Sequence, residues 1–294
     1  MQVFVIDKNN RPIMPCHPAR ARELLKQGRA IKRWSKGIFG IKLTDREGGA
    51  LQEIACGVDP GSKREGFTVK SEAHTIMNVQ AEAVSHVKDK LQTRKEMRRA
   101  RRFRKTPYRK LRGNRSQLKA KGRIPPSTKA RWQSKLRIIN WLSKMFPITT
   151  VVVEDVQART MKNGKKWNSA FSPIQCGKNW FYTEIKRRWR LVTKKGYETY
   201  EERERLGLKK SSNKLAETFD AHCVDSWALA NIEVGGHEKP EMTKIWLVKH
   251  LNIIRRQLHN LQPAKGGERR EKSGTRCFGF EKGSLVKHKK KGLF

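Results

Sequence analysis

Ile54-Ala55-Cys56-Gly57-Val58-Asp59-Pro60-Gly61-Ser62 is the most informative stretch of the chain. Five apolar or small residues make a short strand, an acid ends it, and Pro-Gly-Ser turns the backbone. Thr149-Thr150-Val151-Val152-Val153 is a β-branched run with the composition of a buried strand, and it too ends on an acid, Glu154. Between them, Gly66–Val69 and Thr75–Val79 read as a hairpin that follows the first strand. Further on, the pattern predicts a helix from about Ser211 to Ile232 that carries His222 and, three residues later, Asp225. Two strand-terminal acids and a helical His-x-x-Asp converge naturally in an α/β sheet, where sites gather at strand ends.

Each of these residues has a plainer alternative. Asp59 also suits a cap on the Pro-Gly turn. Asp155 neighbours Glu154; strand alternation favours Glu154 as the inward-facing acid and leaves Asp155 to solvent. His222 taken alone reads more readily as a hydrogen-bonded core histidine than as a ligand. Asp220 competes with Asp225, but only Asp225 shares the His222 face of a helix. As a set, the acids point to metal chemistry. Clustered carboxylates repel one another unless cations sit between them, and their oxygens suit Mg²⁺, with Mn²⁺ as a substitute. Two such ions, roughly 3.5–4 Å apart, clamp an in-line phosphodiester displacement.

Charge says what lies beside that chemistry. The 294 residues include 67 Lys+Arg against 27 Asp+Glu, a net charge of +40, or about one uncompensated positive charge every seven residues. Self-repulsion of that size calls for a polyanion, and nucleic acid is the leading partner class. An apolar content of 36%, with 8 Trp and 11 Phe, still supports a sizeable core. No apolar run approaches the roughly 20 residues of a membrane span. The opening Met-Gln-Val-Phe-Val-Ile meets Asp7 too early to read as a signal peptide. Five cysteines at 16, 56, 176, 223 and 277 form no C-x-x-C pair, which disfavours a disulfide framework or zinc ribbon and fits a reducing, cytoplasmic setting.

The positive charge is concentrated. From Lys88 to Arg137 there are 21 Lys/Arg and two acids, a net of +19. Residues from about Ser85 to Arg104 read as a helix whose cations Arg94, Lys95, Arg98, Arg99, Arg101, Arg102 and Arg104 populate every face. A helix without an apolar stripe cannot bury against a protein core, and one charge sign without the other points to phosphates. After it, 106–126 reads as an extended basic arm; Arg109, Lys110, Arg112 and Arg115, together with Lys105, extend the cationic surface. A helix from Ser127 to about Met145 follows, with Trp132, Leu136, Ile139 and Leu142 as its stripe. Residues 159–210 read as a basic linker with interleaved aromatics. Trp180 and Phe181 there suit a core, while Trp167 and Phe171 suit a core or stacking on an unpaired base. Residues 1–46 read as strand, Pro-rich turn, helix (Pro18 to Gln27, stopped by Gly28) and strand.

These motifs resemble a known family. Gly57-Val58-Asp59-Pro60-Gly61-Ser62-Lys63 is similar to the first motif of a split RuvC (RNase H-like) nuclease, Val152-Val153-Glu154 to the second, and Asp220-Ala221-His222-Cys223-Val224-Asp225 to the third. The arginine-rich helix resembles the bridge helix of RNA-guided effectors. Arg11-Pro12-Ile13-Met14-Pro15-Cys16 resembles the PLMP module of transposon-encoded IscB and IsrB proteins, with Ile in place of Leu, and the likeness extends to Gly283-Ser284-Leu285-Val286. IscB carries an HNH nuclease between the second and third motifs. Here only 67 residues separate Glu154 from His222, with no His and a single Cys, Cys176, so an HNH site has no general base or ligands. The resemblance is therefore to IsrB, which has RuvC alone.

The resemblance implies an α/β fold of the RNase H-like (RuvC) type, a mixed sheet with flanking helices, split by the bridge helix and preceded by a small N-terminal module. It implies these parts: PLMP-like module 1–50, RuvC 51–84, bridge helix and arm 85–126, RuvC 127–158, linker 159–210, RuvC 211–240, and a C-terminal region 241–294 that contacts nucleic acid and the target-adjacent motif. It implies Asp59, Glu154 and Asp225 as ligands of two Mg²⁺ ions, with His222 ligating or activating water. The implied partners are a guide (omega) RNA and a double-stranded DNA target, in a monomeric ribonucleoprotein associated with the nucleoid when on target. The implied reaction is a nick in the non-target strand. A guide-independent RNase H-like nuclease and a non-enzymatic RNA-binding protein remain the alternatives.

Overall fold

The strand-forming runs assemble as a six-stranded mixed sheet beside a smaller four-stranded one. The structure is a computed structural model that describes residues 2–105, 123–156, 161–162, 165–166, 172–237 and 239–250, with 276–277, 280–281, 284, 286–288 and 292–293. It divides into two units, Met1–Val248 and Lys249–Phe294. Among the described residues no helix is long and apolar enough to cross a membrane.

The first unit opens with β1 (Val3–Ile6), β2 (Pro12–Cys16), α1 (Pro18–Lys26), β3 (Ala30–Ser35) and β4 (Ile38–Leu43), in sheet order β2-β1-β4-β3. Val3, Val5, Ile41 and Leu43 pack under Ala21 and Leu24 of α1. Residues 12–16, expected as a Pro-rich turn, form strand β2. Its place at the sheet edge explains the tolerance of Pro12 and Pro15, since an edge strand needs only part of its N–H groups for pairing.

The main sheet is built from β5 (Ile54–Asp59), β6 (Arg64–Ser71), β7 (Thr75–Glu82), β8 (Thr150–Glu154), β11 (Arg190–Lys194) and β12 (Ile245–Val248), in the order β11-β8-β5-β6-β7-β12. The two-residue strands β9 (Met161–Lys162) and β10 (Lys165–Lys166) pair separately. β6 runs antiparallel to both β5 and β7, whereas β8 runs parallel to β5 and β11 parallel to β8. Counted in chain order without β12, this is a 3-2-1-4-5 sheet with its second strand reversed, the RNase H-like arrangement.

Period-two alternation sorts the central strands onto two faces. Cys56, Val58, Val151 and Val153 face a core with α3 (Pro126–Leu142) and α4 (Pro173–Lys186), which contribute Trp132, Ile139, Leu142, Phe181 and Ile185. Ala55 and Val152 face Leu229 and Ala230 of α6 (Val224–Val234). Lys135 of α3 forms a buried ion pair with Glu65 of β6 at 2.6 Å. On α3, Ile138 supplies the burial expected of Leu136, which is only partly covered, and Pro125 occupies the N-cap in place of Ser127.

Three further expectations need correction. Residues 159–210 are not simply a linker: α4, strand β11 and α5 (Gly196–Arg205) lie there, and β11 closes one edge of the main sheet. Phe181 is fully buried and Trp180 packs against the same core. The helix expected over 211–232 begins later, with a π-helical turn at Phe219–Cys223 leading into α6. Upstream, short polar side chains take over the backbone: Ser211 Oγ accepts from Asn213 N at 3.2 Å and Asn213 Oδ1 from Leu215 N at 3.0 Å. The RuvC part expected to end at 240 also gains β12, which pairs with β7.

The arginine-rich segment forms α2 (His86–Lys105). Residues 88–100 are exposed throughout, and Phe103 is 92% exposed, as the missing apolar stripe requires. In the second unit the described residues form two short antiparallel pairs, β13 (Arg276–Cys277) with β14 (Phe280–Glu281) and β15 (Lys287–His288) with β16 (Gly292–Leu293).

Candidate metal centre

Asp59 and Glu154 end adjacent parallel strands, with Val58 opposite Val153 in the register. Alternation turns both acids toward α6, the face that Ala55 and Val152 also present. Helix α6 can lie unusually close because glycines line its bed. A Cβ on Gly57 would collide with the Ser226 carbonyl and reach Ala230 N at 2.9 Å; one on Gly66 would collide with the His222 carbonyl. Hydrogen bonds fix the helix: Thr68 Oγ1 and Ser226 Oγ lie 2.9 Å apart, and Trp227 Nε1 donates to Thr75 Oγ1 at 2.8 Å. This docking delivers Asp225 to the strand ends. One carboxylate oxygen each from Asp59, Glu154 and Asp225 lies within 4.8 Å of the others.

The electrostatics follow from that crowding. Burial pushes the Asp59 carboxyl well above its usual range, and the Asp225 and Glu154 charges push it further. Burial and then Asp225 raise Glu154 as well. Two cations offset part of this: Arg203 Nε of α5 is 2.8 Å from Asp225 Oδ1, and Lys210 Nζ pairs with Asp225 Oδ2. Burial opposes the Lys210 charge, yet its hydrogen bond to Asp225 and the attraction of Asp225 and Asp59 hold its pKa above the ordinary value.

A clustered set of hard oxygen donors that cannot all ionise without counter-charge fits a divalent cation. It also sets a pH dependence. Asp59 binds its proton more tightly folded than unfolded, so folding stability falls as pH rises from the unfolded pKa through the folded one. Asp59→Asn removes this penalty. In thermal melts without divalent ions, its Tm should exceed that of the unmodified chain by about 3 °C or more near pH 7.5. The gap should close toward pH 4.5, and a gap independent of pH would contradict the assignment.

His222 sits apart from the carboxylate set. Its Nε2 is 2.9 Å from the Lys214 carbonyl oxygen, so Nε2 carries the proton and Nδ1 is the free acceptor of the neutral ring. Burial lowers its pKa, and the Arg64 and Lys210 charges add to that. His222 closes the π-helical turn and Asp225 lies in the first turn of α6, and the Asp225 charge acts on the His222 ring against the lowering of its pKa. Asp155 does not face solvent as expected. It points to the α4 side, where Lys178 Nζ donates at 2.6 Å and Tyr182 Oη at 2.9 Å, and it lines a cleft of about 330 Å³. Asp220 is absent from the carboxylate set.

Of the expected nucleic-acid contacts, Arg94, Lys95, Arg98 and Arg99 lie on the exposed length of α2. Arg101, Arg102, Arg104 and Lys105 belong to the same helix. Arg109, Lys110, Arg112, Arg115, Trp167 and Phe171 fall outside the described residues. The residues that sequence reasoning missed are Arg203 and Lys210, two cations in a long basic stretch with nothing in their spacing to separate them from their neighbours.

Sheet order, helix placement and the acids at the strand ends define an RNase H-like α/β protein with a candidate metal centre. The chain belongs to the RRXRR protein family, whose model matches residues 3–171. Among solved structures it is similar to T. thermophilus RuvC in complex with a Holliday junction substrate, at 12% identity and a TM-score of 0.33, over 63% of this chain and 98% of that one. No curated protein sequence matches it significantly.

Proposed function

We propose that the chain is a metal-dependent DNA endonuclease of the RuvC type that is directed by a bound guide RNA and nicks the non-target strand. The observation that carries this reading is the convergence of three carboxylates, from two strands and a helix distant in sequence, within 4.8 Å. Asp59, Glu154 and Asp225 would hold the divalent ions, Mg²⁺ in the first instance. Bound there, such ions supply a water activated for attack and offset the charge that builds on the phosphodiester. Asp225 is held in register by Arg203, while the Gly57 and Gly66 contacts keep α6 against the strand ends. His222, neutral at pH 7 with Nδ1 free to accept, is suited to take a proton from the attacking water.

Guidance by RNA draws on other support. The RRXRR family occurs in IscB- and IsrB-type proteins. An exposed, single-signed helix such as α2 suits the backbone of RNA or of a guide–target heteroduplex, with sequence read by base pairing. One carboxylate centre among the described residues, and no histidine between Glu154 and His222, fit cleavage of one strand instead of two. The test is cleavage of supercoiled DNA that depends on the co-purifying RNA, with the product identified as nicked or linear.

A further inference from the structure

Asp225 is buried, and each of its two oxygens carries a cation. The two cations differ. Arg203 belongs to α5, its side chain is 13% exposed, its guanidinium lies over the Tyr200 ring at 5.5 Å, and it meets Asp225 as an ion pair without hydrogen-bond alignment. Lys210 lies in the non-helical connection after α5, its side chain is 40% exposed, and it reaches Asp225 through a flexible four-carbon stem. An ammonium and a hard divalent cation compete for the same carboxylate lone pairs.

We propose that Lys210 is the counter-ion of Asp225 in the metal-free protein and that its ammonium leaves Asp225 when a divalent cation binds, while Arg203 stays. This rests on reading the carboxylate cluster as a metal centre. It assigns the two cations different work. Arg203 positions the carboxylate permanently, and Lys210 balances the cluster charge until metal arrives. Once released, the ammonium remains tethered beside the centre, where the phosphate of a bound strand is its natural partner.

The test is Mn²⁺ binding by calorimetry on the full chain, with any co-purifying RNA retained and Asp59→Asn used to subtract ions bound elsewhere. Lys210→Met should bind Mn²⁺ at the Asp59-dependent site about fivefold more tightly than the unmodified chain, the range of a partly exposed ion pair. Lys210→Gln should do the same, which guards against a misfolded Met variant. Lys210→Arg should bind more weakly, because a guanidinium fork grips a carboxylate better than an ammonium. Lys209→Met makes the same charge change at the exposed neighbouring position and should stay within about twofold. Equal or weaker Mn²⁺ binding by both Lys210→Met and Lys210→Gln overturns the exchange but leaves the metal centre standing. Absence of Asp59-dependent Mn²⁺ binding in the unmodified chain overturns the metal centre, and the exchange with it.

Discussion

Asp59→Ala should abolish strand cleavage, with the single-turnover rate falling about a thousandfold or more, while affinity for the bound RNA changes by less than about twofold. Asp59 is central to the cluster: it ends β5, and burial, then the Asp225 and Glu154 charges, raise its pKa. Its loss removes one of the three carboxylates that would hold the metal. On the proposed function, RNA grip would draw on exposed cations such as Arg94, Lys95 and Arg99 of α2, which the substitution leaves untouched. Cleavage gels and filter binding on the same preparations separate the two. Full cleavage by Asp59→Ala would refute the site. Equal RNA binding with no cleavage in either protein would favour a non-enzymatic RNA binder.

Gly57→Ala should destabilise the protein by about 2–3 kcal/mol and lower Tm by roughly 5–10 °C. The added methyl would meet backbone on both sides, the Ser226 carbonyl and Ala230 N at 2.9 Å, so no side chain can swing aside to admit it. Helix α6 has to lift from the sheet, and that movement carries Asp225 away from Asp59 and Glu154. Cleavage should fall by about a hundredfold even below the new Tm, since displacement of a reactive group by an ångström has that cost. Thermal melts and rates measured well below Tm check both parts. An unchanged Tm would mean that α6 does not rest on the glycine bed.

Legibility in the sequence followed the local signals. Strands β5 to β8 were readable because apolar runs ended in turns and acids, and the two strand-terminal acids came with them. Strand β11, Arg190-Leu191-Val192-Thr193-Lys194, was not, because an edge strand with cations at both ends has neither a long apolar run nor a clean alternation. Helix α4 was legible only in part: Trp180 and Phe181 marked a buried patch, but the basic residues around them hid the helix's extent and the burial of Ile185. Strand β2 was masked by its prolines, whose cost vanishes at an edge that only the tertiary fold defines. The late start of α6 turned on side-chain hydrogen bonds at Ser211 and Asn213 that compete with the helix.

The candidate site divides along the same line. Asp59 and Glu154 come together because parallel pairing aligns strand ends, a consequence of topology that sequence can suggest. Asp225 required the helix as well as the sheet. Asp155 was misjudged because both faces of β8 are covered, so the residue after Glu154 meets Lys178 and Tyr182 instead of water. Arg203 and Lys210 could not be singled out among so many cations, since which of them reaches a buried carboxylate depends on the path of α5 and of the connection after it.

Supercoiled plasmid DNA bearing a sequence matched to the guide portion of the co-purifying RNA, incubated with the ribonucleoprotein and Mg²⁺, offers the most direct test. Open-circular product should accumulate, with the break mapping to the strand not paired with the RNA. It should vanish when the RNA is removed or Glu154 is replaced by Gln. Linear DNA as the first product, or nicking that persists without the RNA, would contradict an RNA-guided nickase with a single cleavage centre.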